Sequence, residues 1–433
     1  MKIHGWGRYP VVQSEILLPQ TENDCLHLIK EHSSLIPRGL GRSYGDSANS
    51  STVLQSSYLD HYIHFDQDNG VLVCQSGVSI QEILKLIIPK GWFIPVTPGT
   101  SYVTIGGAIA SDVHGKNHHL SGAFSEHLIS FDLMLASGEI VQVTRTGTPD
   151  LFHATCGGMG LTGVVLTATI QLKAIQSSNI IQTTIKANCL EEICFQFEQN
   201  SQSTYSVAWI DCLAKGKQLG RSLLMTGEHA QDGILKLDKK KSLNVPVDVP
   251  SILLNQYTIK AFNALYYHKT FFQNQITTLA YKPYFYPLDT LSNWNRLYGK
   301  NGFIQYQFVI PKAVGVQGLK NILTTIADSG KGSFLAVLKM FGPENENYLS
   351  FPQQGYTLAL DFKLSIAVIQ LIERLDAMIV DMGGRVYLTK DALMSEAFFK
   401  KTYPKWEKFQ EVRAKYGALG KFSSDQSKRL GLS

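Results

Sequence analysis

The stretch Pro98-Gly99-Thr100-Ser101-Tyr102-Val103-Thr104-Ile105-Gly106-Gly107-Ala108-Ile109-Ala110-Ser111, followed at once by Asp112-Val113-His114-Gly115-Lys116-Asn117-His118-His119, decides how this chain is read. Its glycines let backbone approach a ligand closely, and its hydroxyls donate well to phosphate oxygens. The eight residues after it bring three histidines and a lysine together. A zinc site would ask for a further ligand at helical or CxxC spacing, and the sequence supplies neither HExxH nor a cysteine pair. A polar active-site loop is expected there, with no metal.

Upstream, Arg38-Gly39-Leu40-Gly41-Arg42-Ser43-Tyr44-Gly45-Asp46 packs three glycines between two arginines, a recipe for backbone N–H groups facing an anion. One such loop is as readily a surface turn. Two of them predict one extended dinucleotide with its pyrophosphate cradled between them. A third glycine cluster, Gly158-Met159-Gly160-Leu161-Thr162-Gly163, matches GxGxxG. A Rossmann site needs a strand before these glycines and a helix after them. Here the residues from Asp150 to Cys156 read as a helix, and those from Val164 to Leu172 alternate as a strand does. The order is reversed, which argues against a Rossmann fold.

A chain of 433 residues exceeds one ordinary core, so two or three domains are expected. With 44% hydrophobic and 17% charged residues it is globular, and a net charge of +5 scattered along its length leaves no footprint for nucleic acid. Six cysteines without a CxxC pair read as reduced thiols. Met1 to Pro10 lacks a basic region followed by an apolar one, and no run of about 18 apolar residues occurs, so neither signal peptide nor membrane span is expected. The protein is expected in the cytoplasm or peripherally at the inner membrane. Capping signals open helices at Thr21 and at Ser79, where Glu82 completes a box, and strands are expected at 71–76 and 139–144. Past Ile175 the chain turns aromatic, and the amphipathic stretch from Ser365 to Met382 ends at Gly383 and Gly384 as a helix should. The expected divisions are therefore 1–175, 176–384 and a returning segment 385–433.

Together the segments RGLGRSYGD (38–46), PGTSYVTIGGAIASDVHGKNHH (98–119), GGMGLTG (157–163), NWNRLYGKNGFIQYQFVIP (293–311), FLAVLKMFGP (334–343) and RVYLTKD (385–391) resemble the flavoproteins of the vanillyl-alcohol-oxidase type. Within them the likeness is to the branch that oxidises polyprenylphosphoryl ribose. It runs over nearly the whole chain, and HGKNHH and QYQFVIP are its specific parts. The resemblance implies an α+β, two-domain FAD-binding oxidoreductase whose substrate domain is built on an antiparallel sheet. From the first loop it implies cofactor contacts by Arg38, Gly39, Gly41, Arg42, Ser43, Tyr44 and Gly45. From the second it implies Pro98, Gly99, Thr100, Ser101, Thr104, Gly106, Gly107 and Ser111, with His114 and Gly115 just beyond. Gly157, Gly160 and Gly163 would lie near the adenosine half, and Tyr387 and Lys390 beside the isoalloxazine. Relatives that attach flavin covalently carry a histidine where this chain has Arg42, which implies FAD held without a covalent link.

The same resemblance implies a substrate pocket of Trp209, Arg296, Gln305, Gln307, Lys339, Phe341 and Asp361, with Lys390, Lys116, Tyr44 and His114 as catalytic candidates. Trp209 and Phe341 read equally well as core aromatics, and Arg296 and Asp361 as ion-pair members. The lysines weigh most, because buried lysine is rare. Phe285 and Ala359 depart from the mycobacterial pattern of tyrosine and cysteine. The expected reaction takes a hydride from a secondary carbinol of a sugar, the 2-hydroxyl of a polyprenylphosphoryl ribose, to flavin. A lysine whose pKa falls by desolvation from about 10.4 toward neutrality would take the proton. The product ketone would be the first half of an epimerisation toward arabinose in cell-wall biogenesis, completed by a separate NAD(P)H-dependent reductase, since the reversed GxGxxG leaves this chain no nicotinamide unit. The lipid would need a membrane-facing entrance, for which the lysine- and valine-containing stretch from Lys236 to Leu254 is the sequence candidate. Two alternatives stay open. One is a soluble sugar-alcohol or aldonolactone oxidase, which rapid aerobic peroxide release would favour. The other is a non-catalytic flavin-binding subunit, which retention of Lys116 and Lys390 speaks against.

Overall fold

The computed structural model describes residues 1–238, 242–250, 254–270 and 272–433. Lys239, Lys240 and Lys241, the basic centre of the expected membrane entrance, lie outside the described residues. The N-terminal capping signals act as their chemistry predicts. Helix Glu22–Glu31 starts on a capping box between Thr21 and Asp24, and helix Ile80–Ile87 on one between Ser79 and Glu82. The latter buries Ile80, Ile83, Leu84 and Ile87 as one stripe. It shares one hydrophobic core with a five-stranded antiparallel sheet in the spatial order 140–143, 128–134, 164–171, 71–75, 62–66. A small parallel sheet of 15–17, 52–55 and 36–38 delivers the chain into the first glycine loop. The third glycine cluster joins helix Pro149–Thr155 to strand Val164–Gln171, with Gly157 at φ 87° and Gly160 at φ 77°. It is a helix-to-strand turn, as its flanks predict.

Residues beyond 178 build a second sheet, antiparallel throughout and eight-stranded among the described residues. Its order is 274–280, 179–187, 222–229, 205–210, 336–341, 355–363, 303–311, 385–386. Helices Leu190–Gln199, Gly315–Ser329 and Ile366–Asp381 cover one face. Ser365 caps the last of these by accepting from the Val368 amide, and Gly383 ends it at φ 69°. The period of two in a strand then sorts the side chains. In strand Phe303–Pro311, Ile304, Tyr306 and Phe308 join the core, while Gln305 and Gln307 face the other way. Val337 and Lys339 share that second face.

The returning segment first serves the sheet it was expected to leave. Arg385–Val386 pairs with Phe308 and Val309 as the eighth strand, and the turn Leu388–Lys390 follows. From there the C-terminus locks onto the first half. Arg429 donates to both carboxyl oxygens of Asp46 at 3.1 and 2.7 Å and to Asp391 at 2.8 Å. Arg413, fully buried, donates to the carbonyls of Leu161, Leu432 and Phe422, pinning the third glycine turn to the end of the chain. Among the described residues no helix is long and apolar enough to cross a membrane.

Truncating Arg413 leaves several buried carbonyls without donors, each costing about 1–3 kcal/mol. Arg413→Ala is therefore expected to lower stability by roughly 3 kcal/mol or more and to cut the thermal midpoint by several degrees. A melt matching wild type would show that the buried guanidinium is replaceable by water.

Candidate active site

A cavity of about 890 Å³ runs from the glycine loops to the polar face of the eight-stranded sheet, near the top of the roughly 300–1,000 Å³ common for ligand pockets. The two sequence-predicted loops meet along one side. A Cβ on Gly39 would stand 2.3 Å from the Thr104 hydroxyl, and one on Gly41, at φ 62°, 2.4 Å from the Arg38 guanidinium. Gly99 faces open cavity, with nothing within 4 Å of a Cβ there. Such bare backbone beside an open channel fits an elongated anionic cofactor.

Arg38 departs from expectation. Its guanidinium lines the cavity but donates to the carbonyls of Ala48 and His4 and to Asn49 Oδ1, all at 2.8 Å, so its hydrogen-bonding capacity holds the loop itself. Arg42 donates to the Leu40 carbonyl at 2.9 Å and stacks 4.5 Å from the Trp6 ring. Burial lowers the pKa of both arginines. The second loop hangs on a residue that sequence reading missed. Asp289 accepts from the Thr100 hydroxyl at 2.6 Å and from the Ser101 amide and hydroxyl, each at 2.7 Å. An isolated aspartate almost two hundred positions away carries no local signal of that role.

At the sheet end, Lys116, Lys339 and Lys390 line the cavity, and Lys269 lines it from a neighbouring helix end. Desolvation, reinforced by the charge of Lys339, brings Lys116 down to about 7. Desolvation alone brings Lys339 down to about 8. Lys390 falls to about 7 by the same cause, with Asp361 opposing the shift and Lys339 adding to it. Lys116 donates to the Tyr284 carbonyl and lies 4.2 Å from its ring centroid. Lys390 sits 3.8 Å over the Tyr44 ring. Beneath, Gln305 donates to Asp361 at 2.5 Å across the strand pair that sets them opposite, and Tyr298 donates to the same carboxylate at 3.2 Å. Burial raises Asp361 to about 7.

His114 is buried against Phe341, Phe351 and Tyr387, with ring centroids 4.7, 5.6 and 5.1 Å away. The Gln307 amide donates to its Nε2 at 3.0 Å, which leaves Nδ1 as the protonated nitrogen, buried and without a partner. Burial, with Lys339 nearby, holds its pKa well below the usual histidine value. Tyr387 donates to the Ser111 carbonyl at 2.9 Å, joining the return turn to the end of the second loop.

Not every candidate reaches the cavity. Gly39, Gly41, Ser43, Tyr44, Pro98, Gly99, Thr100, Thr104, Gly106, Gly107, Ser111, Gly115, Gly160, Gly163, Trp209, Gln305 and Gln307 line it. Gly45, Ser101, Gly157, Phe341 and Asp361 stand behind the wall and support residues that do. Gly45 packs on the Asp391 carbonyl, Gly157 on Ser350, and Phe341 on His114 and His118. Arg296 is turned away, donating to the carbonyls of Val245 and Pro246 at 3.1 and 2.7 Å. Phe285 and Ala359, the two departures from the mycobacterial pattern, both line the cavity.

The family model described as an FAD binding domain matches residues 14–144. Over its full length the chain is 35% identical to the decaprenylphosphoryl-β-D-ribose oxidase of Mycolicibacterium smegmatis, covering 97% of that protein. It is 32% identical, over 82% of its length, to all of a Streptomyces coelicolor protein described as an uncharacterised protein in the mprA 5′ region. A D-lactate dehydrogenase of Archaeoglobus fulgidus is 27% identical over 31% of this chain.

Asp289 makes its three hydrogen bonds from a buried position, so its removal should free the second glycine loop. Asp289→Ala is expected to raise the dissociation constant for FAD by roughly ten-fold or more, two or three bonds of about 1 kcal/mol each being lost. Flavin fluorescence titration of the refolded protein measures it. Wild-type affinity would mean that the loop holds its shape without the carboxylate.

Proposed function

The chain belongs to the decaprenylphosphoryl-β-D-ribose oxidase family and is an FAD-dependent oxidoreductase, and from that premise we propose that it oxidises the 2-hydroxyl of a polyprenylphosphoryl ribose to a ketone. The observation that carries this reading is the charge of the cavity wall. Arg38, Arg42, Lys116, Lys269, Lys339 and Lys390 line it, against a single lining carboxylate among the described residues, Asp289, whose oxygens are already occupied. Such a wall selects ligands rich in negative charge, a cofactor pyrophosphate at one end and a substrate phosphodiester at the other. An uncharged sugar alcohol or aldonolactone would leave the lysines at the sheet end without a counter-ion.

We assign residues 1–175 and 385–433 to the FAD-binding domain and 176–384 to the substrate-binding domain. Backbone amides of 39–43 and 99–107 would hold the pyrophosphate, the 157–163 turn the adenosine side, and Tyr387 and Lys390 the ring. When bound, FAD supplies the acceptor for the hydride leaving the carbinol carbon. Lys390 Nζ, with a pKa of about 7, is substantially neutral at physiological pH and takes the hydroxyl proton. Asp361 lies close enough to favour the resulting ammonium. Lys116 and Lys339 bind the phosphodiester, whose charge raises their own pKa values and keeps them cationic. The unpartnered His114 Nδ1–H is a donor for a sugar or ring oxygen. Ala359 and Phe285 give the pocket a shape that differs from the mycobacterial pattern. The ketone passes to a separate NAD(P)H-dependent reductase.

Three measurements test this reading. Lys390→Ala should slow flavin reduction by roughly 10²- to 10⁴-fold in a protein that retains its FAD. In the wild type kcat/KM should fall about ten-fold per pH unit below pH 7, because a protonated lysine accepts no proton, and the variant should lose that limb. Acid precipitation should release the flavin into the supernatant, since Arg42 offers no linking nitrogen nucleophile. Flavin retained by the pellet, or a variant reduced at the wild-type rate, would sink the corresponding assignment.

A further inference from the structure

Helix Gln256–His268 buries little and leaves large apolar side chains in solvent. The residues it buries are Asn263, which donates to Asp211 at 2.8 Å, and Tyr267, whose hydroxyl donates to the Ala187 carbonyl and Asn188 at 3.2 and 3.0 Å. Among the residues it exposes are large apolar ones, beside Gln256, Thr258, Lys260 and His268. Tyr257 is 73% and Leu265 75% exposed, and with Ala261 they follow at intervals of four, one stripe along the outer face. Lys260 and Lys269 flank that stripe on opposite sides. Just beyond, Phe272 and Ile276 are each 71% exposed, the latter on strand Asn274–Ala280 at the open edge of the eight-stranded sheet. Water is a poor neighbour for so much clustered apolar surface.

Two observations say what covers it. Residues 249–288 contain no aspartate or glutamate, while Lys260, His268, Lys269 and Lys282 fall within them. The same helix also forms part of the cavity wall, through Phe262, Tyr266 and the capping Lys269, whose Nζ lies 3.4 Å over the Tyr266 ring. We propose that this helix and the adjoining edge strand dock on an anionic lipid surface, so that the cavity mouth opens against the bilayer. An apolar stripe edged by lysines and free of acidic residues is the pattern of an interfacial helix, whose lysine heads reach lipid phosphates while the stripe enters the acyl boundary. The inference rests on the lipid-linked substrate proposed above: a prenyl chain then enters the cavity along the helix without crossing water.

The test uses FAD-loaded full-length protein and vesicles of phosphatidylglycerol and phosphatidylcholine in equal parts. Wild type should co-sediment with them, and Tyr257→Glu with Leu265→Glu should lower the partition coefficient by roughly ten-fold or more. Lys260→Glu should weaken binding roughly five-fold on these vesicles and leave binding to pure phosphatidylcholine unchanged. Oxidation of water-soluble geranylphosphoryl ribose should proceed at the wild-type rate in all these variants, with flavin content as the control for folding. Wild type that ignores vesicles, a double variant that binds as well as wild type, or a wild-type dimer that the double variant dissociates in the ultracentrifuge would each overturn the proposal. Vesicle binding that behaves as expected in a protein unable to oxidise either soluble or vesicle-borne phospho-ribose would uphold the docking surface and overturn the substrate assignment.

Discussion

The guanidinium of Arg429 holds together two pieces of the site that lie far apart in the chain. One carboxylate it binds, Asp46, ends the first glycine loop; the other, Asp391, follows Lys390 directly. Both carboxylates are buried, which would be costly for like charges side by side. The cation between them makes the arrangement tenable, and their two charges in turn raise the pKa of Arg429 despite its burial. The backbone of the same two segments is joined as well, the Tyr44 amide donating to the Thr389 carbonyl at 2.9 Å. The stacking of Lys390 on Tyr44 follows from this clasp.

The clasp positions Lys390; the sheet supplies its surroundings. Alternation along strands 303–311, 336–341 and 355–363 puts Gln305, Gln307, Lys339, Thr357 and Asp361 on one face and aliphatic or aromatic residues on the other. Register then chooses the pairs, Gln305 opposite Asp361 and Lys339 opposite Thr357. A cluster of lysines in one cavity is unfavourable while the cavity holds no anion, and the charge of Lys339 lowers the proton affinity of Lys116 and Lys390. That repulsion is relieved when an anion enters, so anion binding in the cavity and the protonation of Lys116 and Lys339 are thermodynamically linked.

What was legible in the sequence was local. Caps at Thr21 and Ser79, the glycine stop after Met382, the reversed setting of the third glycine cluster, and the small-residue loops are all written within a few neighbouring residues. The weight given to lysines also came from a local rule, their rarity in apolar surroundings. What escaped depends on long-range meetings. Asp289, Arg413 and Arg429 look like any isolated charged residue until the fold brings them to Ser101, Leu161 and Asp46. The opposite error has the same cause. Arg38 and Arg296 look available in the sequence, and their donors are taken up by carbonyls that no local pattern reveals. Asp361 stands among the candidates by resemblance and works from behind the wall, where it accepts from Gln305.

The eighth strand and Arg429 are made after every other strand of the sheet. On the ribosome the eight-stranded sheet is therefore left with an open edge along strand 303–311, and the lysine-bearing turn does not yet exist. A nascent chain halted before residue 385 would display the glycine loops without the segment that closes them. Completion of the cavity wall thus waits for the residues after 384, which bring Tyr387 and Lys390 to it.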